Sequence, residues 1–242
     1  MRAWTRRDLT IVSDIGDKCM VIACDSCGAI GVKDGDVFKI PVRHAAKFTV
    51  RVALTEVMCS GALPVTIANG AACEMDPTGK EIILGIQDEL ENAGMEGIVL
   101  TGSTEENFAT SMTAFAITVV GVAGENELKF GGAARGDKLV LWGIPAVGTE
   151  VDLGDTGFYG GIRRILPLSD VREIVPVGSR GILYEAETLA SLSGLAFSPY
   201  VTGIDYHKSA GPTTCLLVLC AASAVGQVSA IYENATVIGE IL

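Results

Sequence analysis

The stretch "VIACDSCGAIGVKDGD" places Asp25 between an apolar run and a string of small residues. Asp25 followed by Gly28 and Gly31 could set a carboxylate and backbone N–H groups against phosphate oxygens and Mg²⁺. Glycine-rich loops are common, so this pattern is weak when taken alone. It predicts a phosphate and metal loop, with Asp25 binding metal or accepting a hydroxyl proton.

Cys24 and Cys27 in the same stretch form a CxxC element, which is the competing interpretation. One CxxC supplies only two of the four ligands that structural zinc usually takes, and His44 and His207 are the only histidines. We therefore interpret both cysteines as small strand and loop residues. Seven cysteines, an odd number, lie mostly in apolar runs, which is typical of reduced thiols in a reducing compartment.

Further carboxylates could join Asp25 as metal ligands: Asp14, Asp17, Glu56, Glu105 and Glu106. Asp14 and Asp17 precede the first predicted strand and Asp25 follows it, so all three meet at one sheet edge if the chain doubles back. Each carboxylate also has an ordinary explanation as a turn residue, a boundary charge or a solvated loop residue. Together they offer oxygen ligands on separate loops, which suits Mg²⁺ bound to nucleotide phosphates.

Glu56 and the pair Glu105 and Glu106 have distinct predicted settings. Glu56 interrupts an apolar helix face and is costly there unless it is paired. Glu105 and Glu106 follow the predicted strand "GIVLTG", at a position where ligands bind in open α/β sheets. Lys47 or Lys39 could supply a positive contact to phosphate, although either could equally be a surface lysine.

The elements that must position these residues alternate between strands and helices. Apolar patterning predicts strands over "MVIAC", "VFKIPV", "PVTIANGAACE", "GIVLTG" and "SMTAFAITVVGVA", and helices over "RHAAKFTVRVALTEVMCSGA" and "DPTGKEIILGIQDELENAG". Asp76 near the cap and Pro77 at the first helical position predict the start of the second helix, and Gly94 predicts its end. The segment 1–133 thus reads as a mixed α/β domain.

A second α/β domain over 134–242 follows "FGGAARGD", where glycine and charge cluster between apolar runs. It contains predicted strands "KLVLWG", "TCLLVLC" and "ATVIGEI", a helix over "RGILYEAETLASLSG" and a weaker helix around "SDVREIV".

Composition excludes several functional classes. Of 242 residues, 49% are hydrophobic but only 6% aromatic, which favours an α/β or α+β fold. The net charge of −11 argues against nucleic acid as a partner, because phosphate binding needs lysine and arginine. Neither of the most apolar segments reaches the length of a membrane span, and the arginine-containing N-terminus has no apolar core behind it. The expectation is a cytoplasmic protein with no membrane partner.

In order, the motifs "CDSCGAIG", "LTEVMCSGALPV", "GIVLTGSTEEN", "VVGVA" and "ARGDKLVLWG" resemble a known superfamily. It contains aminoimidazole-ribonucleotide (AIR) synthetase, thiamine-monophosphate kinase, selenophosphate synthetase and a hydrogenase maturation factor. The resemblance implies a two-domain AIR-synthetase-like fold, ATP and Mg²⁺ as cofactors, and a homodimer formed through the N-terminal sheet. It places Asp17, Asp25, Glu56 and Glu105 or Glu106 on the family's acidic positions, and Gly102 and Ser103 in its nucleotide loop.

Departures from the family narrow the expected chemistry. Ile30 stands where the two synthetases carry a lysine, and the chain ends in "IGEIL" rather than in the reactive cysteine of the maturation factor. Arg180 replaces the aspartate of a kinase segment, and the C-terminal domain is abridged. The loops "DSCGAIGVKDGD" and "GSTEEN" most resemble α-ribazole kinase, which phosphorylates a riboside for cobalamin assembly. The alternatives are another kinase or synthetase of the superfamily, or a non-catalytic nucleotide-binding regulator.

Overall fold

The computed structural model describes residues 1–201 and 203–242. The chain forms two compact units. The N-terminal unit comprises Met1–Met58, Ala62–Glu127 and Asp152–Gly157, and the C-terminal unit comprises Cys59–Gly61, Leu128–Val151 and Phe158–Leu242. The main division thus falls a few residues before the predicted boundary, and a short later segment joins the first unit.

A six-stranded sheet, in the order β1-β2-β3-β8-β6-β7, forms the N-terminal unit. Its strands are β1 (Arg2–Arg6), β2 (Leu9–Ile15), β3 (Lys18–Gly28), β6 (Leu63–Ala71), β7 (Val99–Ser103) and β8 (Ala114–Gly124). All neighbours pair antiparallel except β6 and β7, which are parallel. Two short strands, β4 (Ile30–Gly31) and β5 (Phe38–Lys39), pair with each other in the loop after β3.

Two helices, α1 (Val42–Cys59) and α2 (Lys80–Ala93), accompany this sheet. Side chains along β8 alternate strictly between buried and half-buried, and Ile117 and Val119 are fully buried. The buried side faces α1, since a Cβ on Gly121 would lie 2.4 Å from Val57 Cγ1. We call this side the inner face. The opposite, outer face carries half-buried or exposed apolar side chains, among them Val12, Met20, Ile22, Leu63, Val120 and Val122.

The C-terminal unit is a five-stranded antiparallel sheet in the order β10-β12-β9-β13-β11. Its strands are β9 (Lys138–Gly143), β10 (Val171–Pro176), β11 (Phe197–Pro199), β12 (Cys215–Cys220) and β13 (Ala235–Ile241), and its helices are α3 (Tyr159–Ile165), α4 (Gly181–Ser191) and α5 (Val225–Ser229). Leu139, Leu141 and Leu217 lie in its buried core, and Trp142 stacks on Tyr232 with ring centroids 5.7 Å apart.

Three predicted elements were wrong in detail, and two strands at the N-terminus were missed. "VFKIPV" forms only the two-residue strand β5, because α1 begins immediately after Pro41. The segment around "SDVREIV" is strand β10, where Val171, Ile174 and Val175 are buried as β-branched residues prefer. The helix predicted from Pro77 begins at Lys80 after a π-helical turn, Met75–Gly79. Strands β1 and β2 were not predicted at all.

No helix of the described residues combines the length and the apolar character that crossing a bilayer requires.

Candidate active site

Asp25 lies near the end of β3 with its side chain on the inner face, opposite Ile117 of β8. Burial raises the pKa of its carboxyl group to about 6, although the Ser26 backbone N–H lowers it somewhat. Within the described part of the chain, no lysine or arginine forms an ion pair with it. The result is a partly buried carboxylate that is ready to receive a proton or a cation.

The loop that follows Asp25 is organised by a second aspartate, Asp36, which the sequence analysis did not select. Its carboxylate accepts hydrogen bonds from the Thr113 backbone N–H (2.7 Å), the Thr113 hydroxyl (2.8 Å) and the Lys33 backbone N–H (2.8 Å). Burial opposes ionisation, but these hydrogen bonds hold the pKa of Asp36 below its usual value. Asp36 therefore fixes the loop's shape.

Two glycines of this loop have different surroundings. A Cβ on Gly31 would lie 2.4 Å from Thr113 Oγ1 and 2.7 Å from Asp36 Oδ2, so Gly31 is required by packing inside the loop. A Cβ on Gly28 would meet nothing within 4 Å, and the residue is exposed. Of the two glycines predicted to admit phosphate, Gly28 is the accessible one.

Asp14 and Asp17 lie at the opposite end of β3 from Asp25, so the expectation that all three meet at one sheet edge is not met. Ile15 pairs with Lys18, which makes Asp17 part of the β2–β3 turn. Eight extended residues separate it from Asp25, a distance of roughly 25 Å. Asp14 instead pairs with Arg2 (3.2 Å), whose hydrogen bond and charge lower the pKa of Asp14.

The β1–β2 turn, which contains Arg7 and Asp8, lies at the Asp25 end of the sheet. The register of Thr10 opposite Ile22 places this turn beside the last residues of β3. Asp8 is exposed there and occupies the place that the sequence analysis gave to Asp17. The alternation of Leu9 and Ile11 with Thr10 is the signal that could have revealed β2 and hence Asp8.

Glu56 of α1 pairs with Arg7 at 3.4 Å, and both side chains are buried. This confirms the prediction that Glu56 needs a partner on its apolar helix face. The Arg7 guanidinium already neutralises the charge of the Glu56 carboxylate, so Glu56 is a weaker candidate metal ligand than Asp25.

Glu105 and Glu106 lie in the loop after β7, as predicted, and both carboxylates stabilise that loop. Glu105 Oε1 accepts hydrogen bonds from the backbone N–H groups of Asn107 (2.7 Å) and Phe108 (3.2 Å). Glu106 Oε1 accepts hydrogen bonds from the Met75 N–H (2.7 Å) and the Thr104 hydroxyl (2.8 Å).

Gly102 and Ser103 end β7 beside β6. A Cβ on Gly102 would lie 2.5 Å from the Asn69 carbonyl oxygen, so this position needs glycine for strand packing. Ser103 is exposed at the sheet edge from which the Glu105 and Glu106 loop departs.

Lys47 and Lys39, the two lysines considered as phosphate contacts, both donate hydrogen bonds to backbone carbonyls. Lys47 on α1 donates hydrogen bonds to the backbone carbonyls of Leu153 (3.3 Å) and Asp155 (3.0 Å), and Lys39 donates to the carbonyls of Lys33 and Asp34. Lys33 forms a 2.6 Å ion pair with Glu74. Burial on its own would raise the pKa of the Glu74 carboxyl group, but the hydrogen bonds from Lys33 and Thr78 lower that pKa to about 2. Lys33 is thus a cation in the glycine loop that the sequence analysis did not select.

Asn69 of β6 lies on the inner face, in line with Asp25 and Ile117 across the sheet. Asp25 and Asn69 both pair with Ile117, one on each side of β8. Asn69 is only 8% exposed, and within the described ranges its Oδ1 has no hydrogen-bond partner. Its strand was predicted, but pairing with β8 is not visible in the local sequence.

The CxxC element cannot act as a pair. Cys24 is exposed on the outer face and Cys27 is buried on the inner face of the same strand, because residues three apart in a strand point to opposite sides. Among the residues that the structure describes, no group of three or more His, Cys, Asp or Glu side chains could hold a metal ion.

Comparison with protein families and solved structures identifies the fold. Residues 7–123 match the family described as AIR synthase related protein, N-terminal domain. No curated protein matches the sequence.

Among solved structures, T. maritima PurL complexed with AMPPCP is 15% identical over 96% of this chain, with a TM-score of 0.73. Thiamine-monophosphate kinase from Stenotrophomonas maltophilia K279a is 15% identical over 99% of this chain and 88% of its own, with a TM-score of 0.70. A chain of the HypE-HypF complex is 15% identical over 96% of this chain and 86% of its own, with a TM-score of 0.70.

The chain spans 42% of the PurL chain, and at these identities the likeness concerns the fold. Residues 7–123 are therefore similar to the AIR synthase-related N-terminal domain, and the mixed α/β fold of the chain is the AIR synthase-like fold.

Proposed function

We propose that the protein is an ATP- and Mg²⁺-dependent small-molecule kinase, and that its acceptor is the ribose 5′-hydroxyl of α-ribazole. ATP use is supported by the N-terminal domain family and by a fold shared with ATP-dependent enzymes. The acceptor rests on the resemblance of the loops around Asp25 and Glu105.

The observation that carries the proposal is the Asp25 carboxylate. Phosphoryl transfer depends chiefly on positioning and charge stabilisation, and needs a group that accepts the hydroxyl proton. A pKa of about 6 leaves Asp25 mostly ionised at neutral pH yet basic enough to accept that proton. As the hydroxyl oxygen bonds to the γ-phosphorus, the bond to the β-phosphate oxygen breaks, ADP leaves and the proton passes to Asp25.

The residues at this edge fit Mg²⁺ that arrives with a nucleotide. Mg²⁺ is usually held by one or two carboxylates, with phosphate oxygens and waters completing its shell, so a ready cluster of three side chains is not required. Among the described residues Asp25 has no ion-pair partner, and Asp8 is exposed at the same edge. Asp8 is the proposed holder of Mg²⁺ in the step in which Asp25 takes the proton, with Glu105 or Glu106 as further candidates. Bound Mg²⁺ would neutralise phosphate charge.

Lys33 and Gly28 are the proposed phosphate contacts of this chain. Lys33 is held by Glu74 at the loop edge, and Gly28 leaves its backbone approachable. Lys47 is engaged with the Leu153 and Asp155 carbonyls and is a poorer candidate.

The outer face supports the proposed homodimer. It presents an apolar surface on which Leu63 is 65% and Val99 is 67% exposed. Contiguous exposed apolar surface of this kind marks an interaction site, and a second copy of the same sheet would cover it.

A direct assay tests the proposal. The protein, ATP and Mg²⁺ are incubated with a panel of ribosides that includes α-ribazole, and products are analysed by mass spectrometry for the addition of one phosphate. We expect phosphorylated α-ribazole, no product with EDTA, and little product from Asp25→Asn. A phosphorylated carbonyl compound instead would indicate a synthetase, and ATP binding without any product would indicate a regulator.

A further inference from the structure

The side-chain amide of Asn69 is a buried polar group on the same face of the sheet as Asp25. Asn69 is more than nine-tenths buried, and its Oδ1 has no hydrogen-bond partner among the residues that the structure describes. A buried amide oxygen without a hydrogen-bond partner is destabilising, because it has lost its hydrogen bonds to water. Its inner-face neighbours Ile67 and Ile117 are apolar and fully buried, so neither side chain can donate a hydrogen bond to Oδ1.

The position of Asn69 relative to Asp25 restricts what could supply that donor. The two residues flank Ile117, so their backbones are two strand spacings, about 10 Å, apart on one face. A single Mg²⁺ brings two ligand oxygens only about 4 Å apart, because its metal–oxygen distance is about 2.1 Å. One ion therefore does not join Asp25 to Asn69, whereas a nucleotide is long enough to reach both.

We propose that Asn69 Oδ1 accepts a hydrogen bond from an O–H donor of bound Mg·ATP. This inference rests on the proposed function, because it places the nucleotide at the Asp25 edge. Two O–H donors share this chemistry: a ribose hydroxyl and a water molecule held by Mg²⁺. In either case Asn69 orients the nucleotide relative to Asp25.

Asn92 provides a matched control. It is also an asparagine of the N-terminal unit, but its Nδ2 donates a 2.9 Å hydrogen bond to Glu89 Oε2 in α2. Asn92→Leu breaks a bond within the fold and should lower the melting temperature without changing nucleotide affinity. Asn69→Leu removes an unpaired polar group and should leave the melting temperature unchanged or higher.

The test measures Mg·ATP binding by calorimetry alongside melting temperature. We expect Asn69→Leu to weaken Mg·ATP at least tenfold while Asn92→Leu stays within twofold of wild type. Asn69→Ala serves as a second variant if leucine overpacks the site. Affinity within twofold of wild type for a folded Asn69 variant overturns the inference alone. A wild-type protein that binds no Mg·ATP overturns the proposed function, and this inference with it.

Deoxynucleotides distinguish the two donors. If a ribose hydroxyl is the donor, 2′-deoxy-ATP or 3′-deoxy-ATP binds wild type more weakly than ATP does, and Asn69→Leu no longer discriminates between them. If metal-held water is the donor, both analogues bind wild type as ATP does, and Asn69→Leu weakens all three equally. A deoxynucleotide penalty that persists unchanged in Asn69→Leu contradicts a contact between Asn69 and the ribose.

Discussion

Burial raises the pKa of Asp25 to about 6, which makes its carboxylate a stronger base than an ordinary aspartate while it stays mostly ionised at neutral pH. Asp25→Asn keeps the size of the side chain and removes its charge. We expect turnover to fall by about 10²–10⁴-fold, the range for losing a general base, while the fold persists. Turnover and melting temperature measured on the same preparation check this. Near wild-type turnover would mean that Asp25 is only a structural residue of β3 and takes no part in catalysis.

The same raised pKa predicts how stability depends on pH. The folded protein binds the Asp25 proton more tightly than the unfolded chain does, with a pKa of about 6 against 3.8. The contribution of Asp25 to stability is therefore present below about pH 4 and is lost as the pH rises to about 6, by up to about 3 kcal/mol. Melting temperatures from pH 4 to 7 should show wild type declining relative to Asp25→Asn. Parallel curves for the two proteins would contradict this assignment.

The two thiols of the CxxC element are separated by the sheet, so they should be dispensable. The double variant Cys24→Ser, Cys27→Ser should retain most of its activity, with only a small loss of stability from placing a hydroxyl at the buried Cys27 position. Metal analysis of wild-type protein should find no stoichiometric zinc. Loss of zinc together with activity in the variant would overturn our interpretation of the pair.

At the scale of elements, two arginine–carboxylate ion pairs join α1 to α2, and one pair is buried while the other is exposed. Arg51 donates hydrogen bonds to Glu89 through Nε (2.6 Å) and Nη2 (3.1 Å), and it also forms an ion pair with Asp155. The side chains of Arg51 and Glu89 are almost fully buried. Arg43 binds Asp88 near the surface, where 45% of the arginine side chain is exposed. Their identical chemistry in different environments makes them a natural comparison.

Arg51→Ala should lower the free energy of unfolding by about 3–5 kcal/mol, because it leaves the Glu89 carboxylate buried without its guanidinium partner. Arg43→Ala should cost no more than about 1 kcal/mol, since exposed pairs contribute little. Urea denaturation of both variants checks the difference. Equal losses would mean that burial does not decide the strength of these pairs.

Local patterns in the sequence predicted most elements but not their pairing. The periodicity over α1, the alternation in β8 and the αL glycine that ends α2 at Gly94 are all local signals, and the structure contains each of them. Strand β1 is exposed along almost its whole length and has no alternation to detect. Missing β1 and β2 left the direction of the first hairpin undetermined, which is why Asp17 rather than Asp8 was placed beside Asp25.

The remaining site residues depend on contacts between distant segments. Asp36 acquires its role from Thr113, and Asn69 from its register with β8. Arg7 reaches Glu56 only because the first hairpin returns to the Asp25 edge. A single sequence contains no local trace of such pairings, whereas the composition of the Asp25 loop is a local signal that the order of motifs along the chain makes more specific.

At the scale of the whole molecule, the apolar outer face predicts a dimer. Ile22→Lys would bury a charge in the proposed interface and should shift the protein towards monomer. Ile144→Lys, at a position that is 68% exposed in the C-terminal unit, serves as a control and should leave the oligomeric state unchanged. Light scattering at micromolar concentration measures both. A monomeric wild-type protein would count against the dimer.

Strand β3 pairs along its whole length with β8, and the Cys19 thiol bonds to the Ala123 carbonyl 104 residues later. During synthesis at about 5–20 residues per second, the β1–β3 meander must therefore leave the ribosome about 5–20 s before its central partner exists. Over that interval the nascent chain exposes an unpaired strand edge and an uncovered apolar face, which are templates for aggregation. Slower production at low temperature, or co-expressed chaperones, should raise the yield of soluble protein more than any change to the finished fold.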